Sequence, residues 1–350
     1  MEFSKRLTNW YLQNKRDLPW RKSHEPYQIW LSEIMLQQTR IEQGLPYYNK
    51  FMEAFPSVFH LAEASTETVL KLWQGLGYYS RARNLHETAR YVAYELDGKF
   101  PDNYKDLKKL KGVGDYTASA IASICYSEPV AVVDGNVYRV LARFFGVDTP
   151  INTTQGNREF KALATELLDS RDPGTFNQAL MEFGALHCKP QNPACAKCPF
   201  NDKCAALKDG LTRDLPVKLK KTRIRKRFFN YLVFDLDYNK TLLQKRNGKG
   251  IWNGLYQFPL IETSNQIDEE ELVKSGEFKA IAGDKEYSVE LFNETPVIHK
   301  LSHQHLHTRF WLVNSSESHK DAIDIETLVK YPVPVLIENF LNEYLPDEYK

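Results

Sequence analysis

Leu107-Lys108-Lys109-Leu110-Lys111-Gly112-Val113-Gly114-Asp115-Tyr116-Thr117-Ala118 is the stretch around which the chain is organised, followed after an apolar run by Val132-Val133-Asp134-Gly135-Asn136-Val137. The first part has the form helix, glycine hairpin, helix. Gly112 and Gly114 permit positive φ and close backbone approach, and the helix start behind them offers unpaired N–H groups to an anion. With Lys108, Lys109 and Lys111 beside it, such a hairpin suits a nucleic-acid phosphate, a contact that positions without reading sequence. Asp134 stands at a helix start ahead of a Val137, Val140, Leu141, Phe144 stripe at helical spacing. An aspartate there is also an ordinary helix cap. Together, a phosphate grip and a nearby carboxylate point to chemistry on the sugar or base of DNA.

Working back towards the N-terminus, residues 3–16 carry Phe3, Leu7, Trp10 and Tyr11 on one helical side, and Pro26 opens a second helix. Glu33 lies in that helix among Trp30, Leu31, Ile34, Met35 and Leu36. Burial there would raise its pKa and keep a carboxylic acid neutral near pH 7, able to deliver a proton. Gln37, Gln38 and Thr39 follow, short polar groups suited to contacting bases. Gly75-Leu76-Gly77-Tyr78-Tyr79-Ser80-Arg81-Ala82-Arg83 makes a second glycine-rich turn, whose aromatics beside arginines suit unstacking a base. Almost nothing before residue 210 alternates with period two, so this half reads as nearly all helical.

Cys188, Cys195, Cys198 and Cys204 have the spacing C-x6-C-x2-C-x5-C. Four clustered thiolates fit tetrahedral zinc or an iron–sulfur cluster. The wide first gap favours iron–sulfur and leaves zinc open. Cys125, alone in an apolar helix, reads as core packing.

The chain has 350 residues, 42% apolar and 26% charged, which suits a globular protein of two domains. No run of eighteen apolar residues predicts a membrane span, and the N-terminus lacks a secretory layout. A soluble, monomeric protein of a bacterial cytoplasm is expected. Residues 211–227 hold eight basic residues (Arg213, Lys218, Lys220, Lys221, Arg223, Arg225, Lys226, Arg227) against one acid. This block reads as a basic linker that could follow a phosphate backbone. Beyond it the period changes. Residues 229–235 and 241–245 alternate around Asp237-Tyr238-Asn239-Lys240, a hairpin signal, as do 287–292 and 305–313, and a helical stripe closes the chain.

These motifs resemble those of the helix-hairpin-helix DNA glycosylases with an iron–sulfur loop, the endonuclease III superfamily, and within it the MutY-type adenine DNA glycosylases. The resemblance rests on W-L-S-E-I-M-L-Q-Q-T at 30–39, G-L-G-Y-Y-S-R-A-R-N-L at 75–85, L-K-G-V-G-D-Y-T-A at 110–118, V-D-G-N-V at 133–137 and the four-cysteine loop. It implies an all-α helix-hairpin-helix domain over 1–210 with a [4Fe-4S] loop at 188–204, a linker over 211–227, and an α+β Nudix-like domain over 228–350. It also implies double-stranded DNA as partner and removal of adenine opposite 8-oxoguanine or guanine. In that family's roles Glu33 protonates adenine, Asp134 stabilises the sugar cation, and Tyr116 and Asn136 orient them. Gln38 and Tyr78 enter the base stack, with Thr39 beside them, while Arg21, Leu76 and Gln178 line the pocket. Ser302 and His303 read the oxidised base, although Leu301 replaces the family's usual aromatic. Cys188, Cys195, Cys198 and Cys204 would hold the cluster. Tyr116 occupies the position of the lysine nucleophile found in strand-cutting members, so a glycosylase without a lysine-dependent lyase step is expected. The second domain carries no glycine-then-R-E-x-x-E-E box, so nucleotide hydrolysis is not expected there. The competing readings are a glycosylase for another base and a catalytically silent DNA-binding protein.

Overall fold

A computed structural model describes residues 2–219, 224–236, 239–283, 286–317 and 319–349. The backbone divides into two compact units, one drawn from Met1–Glu63 and Asn84–Lys220, the other from Ala64–Arg83 and Lys221–Lys350.

The first unit is helical: α1 (Glu2–Asn14), α2 (Pro26–Met35), α3 (Ile41–Ala54), α4 (Val58–Glu63), then, past the segment that contributes α5 (Thr66–Leu72) to the other unit, most of α6 (Ser80–Glu95), α7 (Tyr104–Leu107), α8 (Asp115–Tyr126), α9 (Gly135–Phe145), α10 (Thr154–Leu167), α11 (Pro173–Leu186) and α12 (Ala205–Lys208). The stripes read from sequence are the buried faces. Phe3, Leu7 and Tyr11 of α1 pack with Val137, Val140 and Leu141 of α9 and with Phe176, Leu180 and Phe183 of α11. Each fully buried side chain of this size contributes about 1.5–3 kcal/mol.

The ends of these helices are set locally. Asp134 caps α9, its Oδ1 accepting the N–H groups of Asn136 and Val137 at 2.8 and 2.7 Å. Asp172 caps α11 through the Thr175 N–H at 3.2 Å, with Pro173 at the first helical position. The hairpin is the one expected, with one difference. Gly112 has φ +79°, and a Cβ there would lie 2.9 Å from that of Asn84. Gly114 is extended at φ −91°, with open space where a Cβ would stand.

The second unit is mixed α+β. Its strands are β1 (Arg225–Asp235), β2 (Lys240–Leu242), β3 (Gln244–Lys245), β4 (Tyr256–Gln257), β5 (Leu260–Thr263), β6 (Ser288–Leu291), β7 (Val297–Leu301), β8 (Gln304–Asn314) and β9 (Ala322–Asp324); its later helices are α13 (Glu269–Lys274), α14 (Gly276–Ala282) and α15 (Val335–Tyr344). The main sheet runs β5-β1-β8-β6, with β7 also on β8. β1 and β8 pair in parallel along their whole length, and the other pairings in this sheet are antiparallel. Leu232, Phe234 and Trp311 face Leu272 and Phe278 of α13 and α14. On the opposite face Phe310 stacks on Phe340 of α15 at 4.0 Å. The expected hairpin after β1 falls partly on Asp237 and Tyr238, outside the described residues. Leu236 and Lys240 form a single antiparallel bridge, and β2 pairs with β9 instead.

Of the basic block, Lys220, Lys221 and Arg223 lie outside the described residues. Arg225, Lys226 and Arg227 belong to β1, where Arg227 pairs with Glu262 at 2.6 Å. Among the described residues no helix is long and apolar enough to cross a membrane.

Candidate active site

Glu33, Asp134, Tyr116 and Asn136 come from α2, α8 and the start of α9, and all four line one cavity of about 460 Å³. Arg21, Thr39, Gln178, Met181 and Glu182 line it as well.

Glu33 is held on the inner face of α2 and is only 8% exposed. Burial pushes its carboxyl up to about 7, Asp134 adds to the rise, and the Tyr116 hydroxyl and Arg21 oppose it. The Tyr116 hydroxyl donates to Met181 Sδ at 3.5 Å.

Asp134 is raised by burial too, but its own hydrogen bonds counter that. Oδ1 takes the two backbone N–H groups of the cap, and Oδ2 accepts from Asn136 Nδ2 at 2.8 Å. The segment leading to it is pinned by Asn177 of α11, which accepts the Val132 N–H at 3.0 Å and donates to the Val130 carbonyl at 2.8 Å. The cavity thus places two buried carboxyls along one space, Glu33 raised by burial to about 7 and Asp134 held by three hydrogen bonds.

A third carboxyl was not singled out from the sequence. Glu182, 1% exposed, receives Arg16 through Nε and Nη2 at 2.9 and 2.7 Å and Arg21 through both Nη atoms at 2.8 and 2.7 Å. Burial raises its pKa, and the two guanidiniums outweigh that and bring it to about 2. Its cue was legible: an acid among Phe176, Leu180, Met181 and Phe183, as Glu33 is among apolar neighbours. Arg139 was also passed over. It donates to Asn136 Oδ1 at 2.8 Å and to the Gly184 carbonyl at 2.7 Å.

The remaining sequence candidates lie as follows. Gln178 accepts the Tyr11 hydroxyl at 2.6 Å. Gln38 is exposed, with φ 56°, at the end of the helix that carries Glu33. Gly112 and Gly114 form the hairpin before α8, where Gln37 Nε2 reaches Thr117 Oγ1 at 3.2 Å. Leu76 and Tyr78 belong to the other unit and do not line the cavity. Leu76 is buried, and Tyr78 is 48% exposed with φ 50°. Ser302 and His303 form the exposed β7–β8 turn, and Ser302 Oγ lies 2.8 Å from the Tyr78 hydroxyl.

The expected iron–sulfur loop is corrected by the side-chain arrangement. Cys188, Cys195, Cys198 and Cys204 border one small hollow with Arg143 and His187. Among the described residues, however, no three His, Cys, Asp or Glu side chains are grouped to hold a metal ion. Three of the thiols make other contacts: Cys198 Sγ accepts the Phe200 N–H at 3.4 Å, Cys204 donates to the Arg143 carbonyl at 3.5 Å, and Cys188 Sγ accepts from Arg143 Nη1 at 3.5 Å. Burial pushes Cys198 up to about 11 and raises Cys204, and the neighbouring thiols add to both. Neither a [4Fe-4S] cluster nor zinc is assigned to the described residues.

Residues 31–166 match the family model described as HhH-GPD superfamily base excision DNA repair protein, and residues 230–343 match a NUDIX domain model. The chain is 35% identical over 315 residues to the adenine DNA glycosylase of Buchnera aphidicola subsp. Schizaphis graminum, covering 90% of this chain and 88% of that one. It is 38% identical over 301 residues to the Arabidopsis thaliana adenine DNA glycosylase, covering 75% of this chain and 48% of that one, so it spans about half of that relative's length. A solved thermostable thymine-DNA glycosylase superposes with TM-score 0.55 at 30% identity, covering 59% of this chain and 95% of that one. With near-complete coverage of a 35%-identical relative, the chain belongs to the adenine DNA glycosylase family of the helix-hairpin-helix superfamily, hydrolases acting on N-glycosyl bonds.

Proposed function

We propose that this protein removes adenine mispaired with 8-oxoguanine or guanine in double-stranded DNA. The observation that carries the reading is the pairing of a buried Glu33, its pKa raised to about 7, with a capped Asp134 on one cavity that Tyr116 also lines.

The adenine nucleotide must leave the stack to reach such a cavity. Glu33 gives its proton to adenine N7, which makes the base a better leaving group. The N-glycosidic bond breaks with its electron pair going to adenine. The Asp134 carboxylate stabilises the resulting sugar cation, directly or through a transient covalent bond, until water adds. Tyr116 orients Glu33, and Asn136 and the cap N–H groups hold Asp134. Arg21, Thr39 and Gln178 shape the adenine environment. Gly112 and Gly114 present backbone to a phosphate, Gln38 and Tyr78 fill the stack, and Ser302 and His303 read the opposing base. Tyr116, standing where strand-cutting members have lysine, supports base release without an amine-driven lyase step.

The test is base release from three duplexes, carrying adenine opposite 8-oxoguanine, thymine opposite guanine, and an oxidised pyrimidine. Release of adenine alone is expected. Release of thymine or the pyrimidine alone sinks the substrate assignment, and release of nothing leaves a DNA-binding protein.

A further inference from the structure

An acid directly after the hairpin glycines is an odd choice for a phosphate grip. Asp115 is the first residue of α8, adjacent to Tyr116, and its charge would repel the strand that Gly112 and Gly114 approach. Lys161, on α10, meets it. Its ammonium donates to Asp115 Oδ2 at 3.0 Å, to Ser119 Oγ at 3.1 Å and to the Ala131 carbonyl at 2.6 Å. The first two bonds hold the start of the helix that carries Tyr116. The third holds the segment that ends, three residues on, in Asp134. On its other side Asp115 accepts the Tyr104 hydroxyl, which also receives Lys108 Nζ at 3.3 Å. Both ammoniums lie over the Tyr104 ring, Lys108 at 5.5 Å and Lys161 at 5.7 Å. Burial would raise the Asp115 pKa, but the bonds from Tyr104 and Lys161 outweigh it and leave it lowered, so the anion is present and balanced.

We infer that Lys161 is a positioning residue with two tasks: it neutralises Asp115 at the phosphate-gripping hairpin, and it ties the helix start bearing Tyr116 to the segment bearing Asp134. This rests on the reading of the hairpin and cavity given above. The two tasks separate by mutation. Without Lys161, Asp115 loses its direct ion pair beside DNA, with Lys108 reaching it only through the Tyr104 hydroxyl, and the Ala131 carbonyl loses its donor. Removing the Asp115 charge repairs the first defect and not the second.

The experiment compares the full-length wild type with K161M, K161R and the double variant D115N/K161M. Affinity is read with a fluorescent duplex bearing an abasic-site analogue opposite 8-oxoguanine. Adenine release is read in single turnover at saturating protein, and thermal melting reports folding. K161M is expected to bind about tenfold more weakly and to release adenine about tenfold more slowly, on the scale of one lost charge contact and a small misplacement of reacting groups. The double variant is expected to regain affinity to within about twofold of wild type while its release rate stays low. K161R, which keeps charge and donors, is expected near wild type in both. K161M matching wild type in affinity and rate overturns the inference, as does a double variant that binds no better than K161M. The wild type in the same assay reports the underlying glycosylase reading separately, since adenine release with an indifferent Lys161 removes only the positioning role.

Discussion

The Tyr78 hydroxyl lies 2.8 Å from the Ser302 hydroxyl, joining two residues 224 positions apart in the chain. Both belong to the second unit, which takes in residues 64–83 together with the strands. Glu67 accepts from Lys245 and from the Tyr256 hydroxyl at 2.8 and 2.7 Å, and Gln74 donates to Glu338 at 2.8 Å. Arg81, with its guanidinium 5.4 Å from the Tyr78 ring centre and a bond to the Gly77 carbonyl at 3.1 Å, sets the turn. Tyr78→Phe keeps the ring and removes the bond. It should reduce discrimination between 8-oxoguanine and guanine, and a cycle with Ser302→Ala should show a coupling of about 1 kcal/mol. Binding titrations with the two mispairs check this; additive effects would separate the residues.

The state of Glu33 gives a pH profile. Its folded pKa of about 7 makes it the proton donor below that value. Single-turnover adenine release should fall about tenfold per pH unit above neutrality. Glu33→Gln should abolish release at every pH while sparing DNA binding. A rate that is flat from pH 6 to pH 9, roughly the range straddling this pKa, would remove Glu33 as the acid.

The same group affects stability with a definite sign. Between its ordinary value of 4.5 and about 7, Glu33 is protonated when folded and ionised when unfolded. Folding stability therefore declines as pH rises through that window and levels off above it. Glu33→Gln should erase that slope, giving a variant more stable than wild type at pH 8 by up to about 3 kcal/mol. Urea titrations at pH 5 and pH 8 measure the difference.

Asp134 serves as cap and carboxylate at once, and two substitutions part the roles. Asparagine is also a good cap, so Asp134→Asn should lose base release at a stability cost of a few tenths of a kcal/mol. Asp134→Ala should lose release and also about 1–2 kcal/mol, with the N–H groups of Asn136 and Val137 left open. Equal melting of the two variants would deny the cap its energetic part.

Glu182 is expected to be structural as well as polar lining. Glu182→Ala leaves Arg16 and Arg21 facing each other in a largely buried site, an arrangement that costs about 3–5 kcal/mol when one partner is removed. Its carboxylate contribution is present above the ordinary glutamate pKa and is lost as pH falls from 4.5 towards about 2. Acid unfolding that begins at higher pH in wild type than in Glu182→Ala would contradict this.

Local rules written in the sequence determined the helices, the cap at Asp134, the hairpin at Gly112 and the alternating strands, because each depends on neighbours a few residues away. Glu33 was readable for the same reason, as an acid inside an apolar helix face. Other features depended on residues far apart in the chain. The grouping of residues 64–83 with the second unit, the double-arginine clamp on Glu182 and the three bonds of Lys161 all arise from contacts that no periodicity records. The cysteine spacing marks the opposite case, a local pattern that suggests a ligand set where no metal-holding group forms among the described residues. Only the folded chain decides how deeply a carboxyl is desolvated and which charges stand beside it, and those two quantities raise Glu33 and Asp134 and lower Glu182 within one cavity.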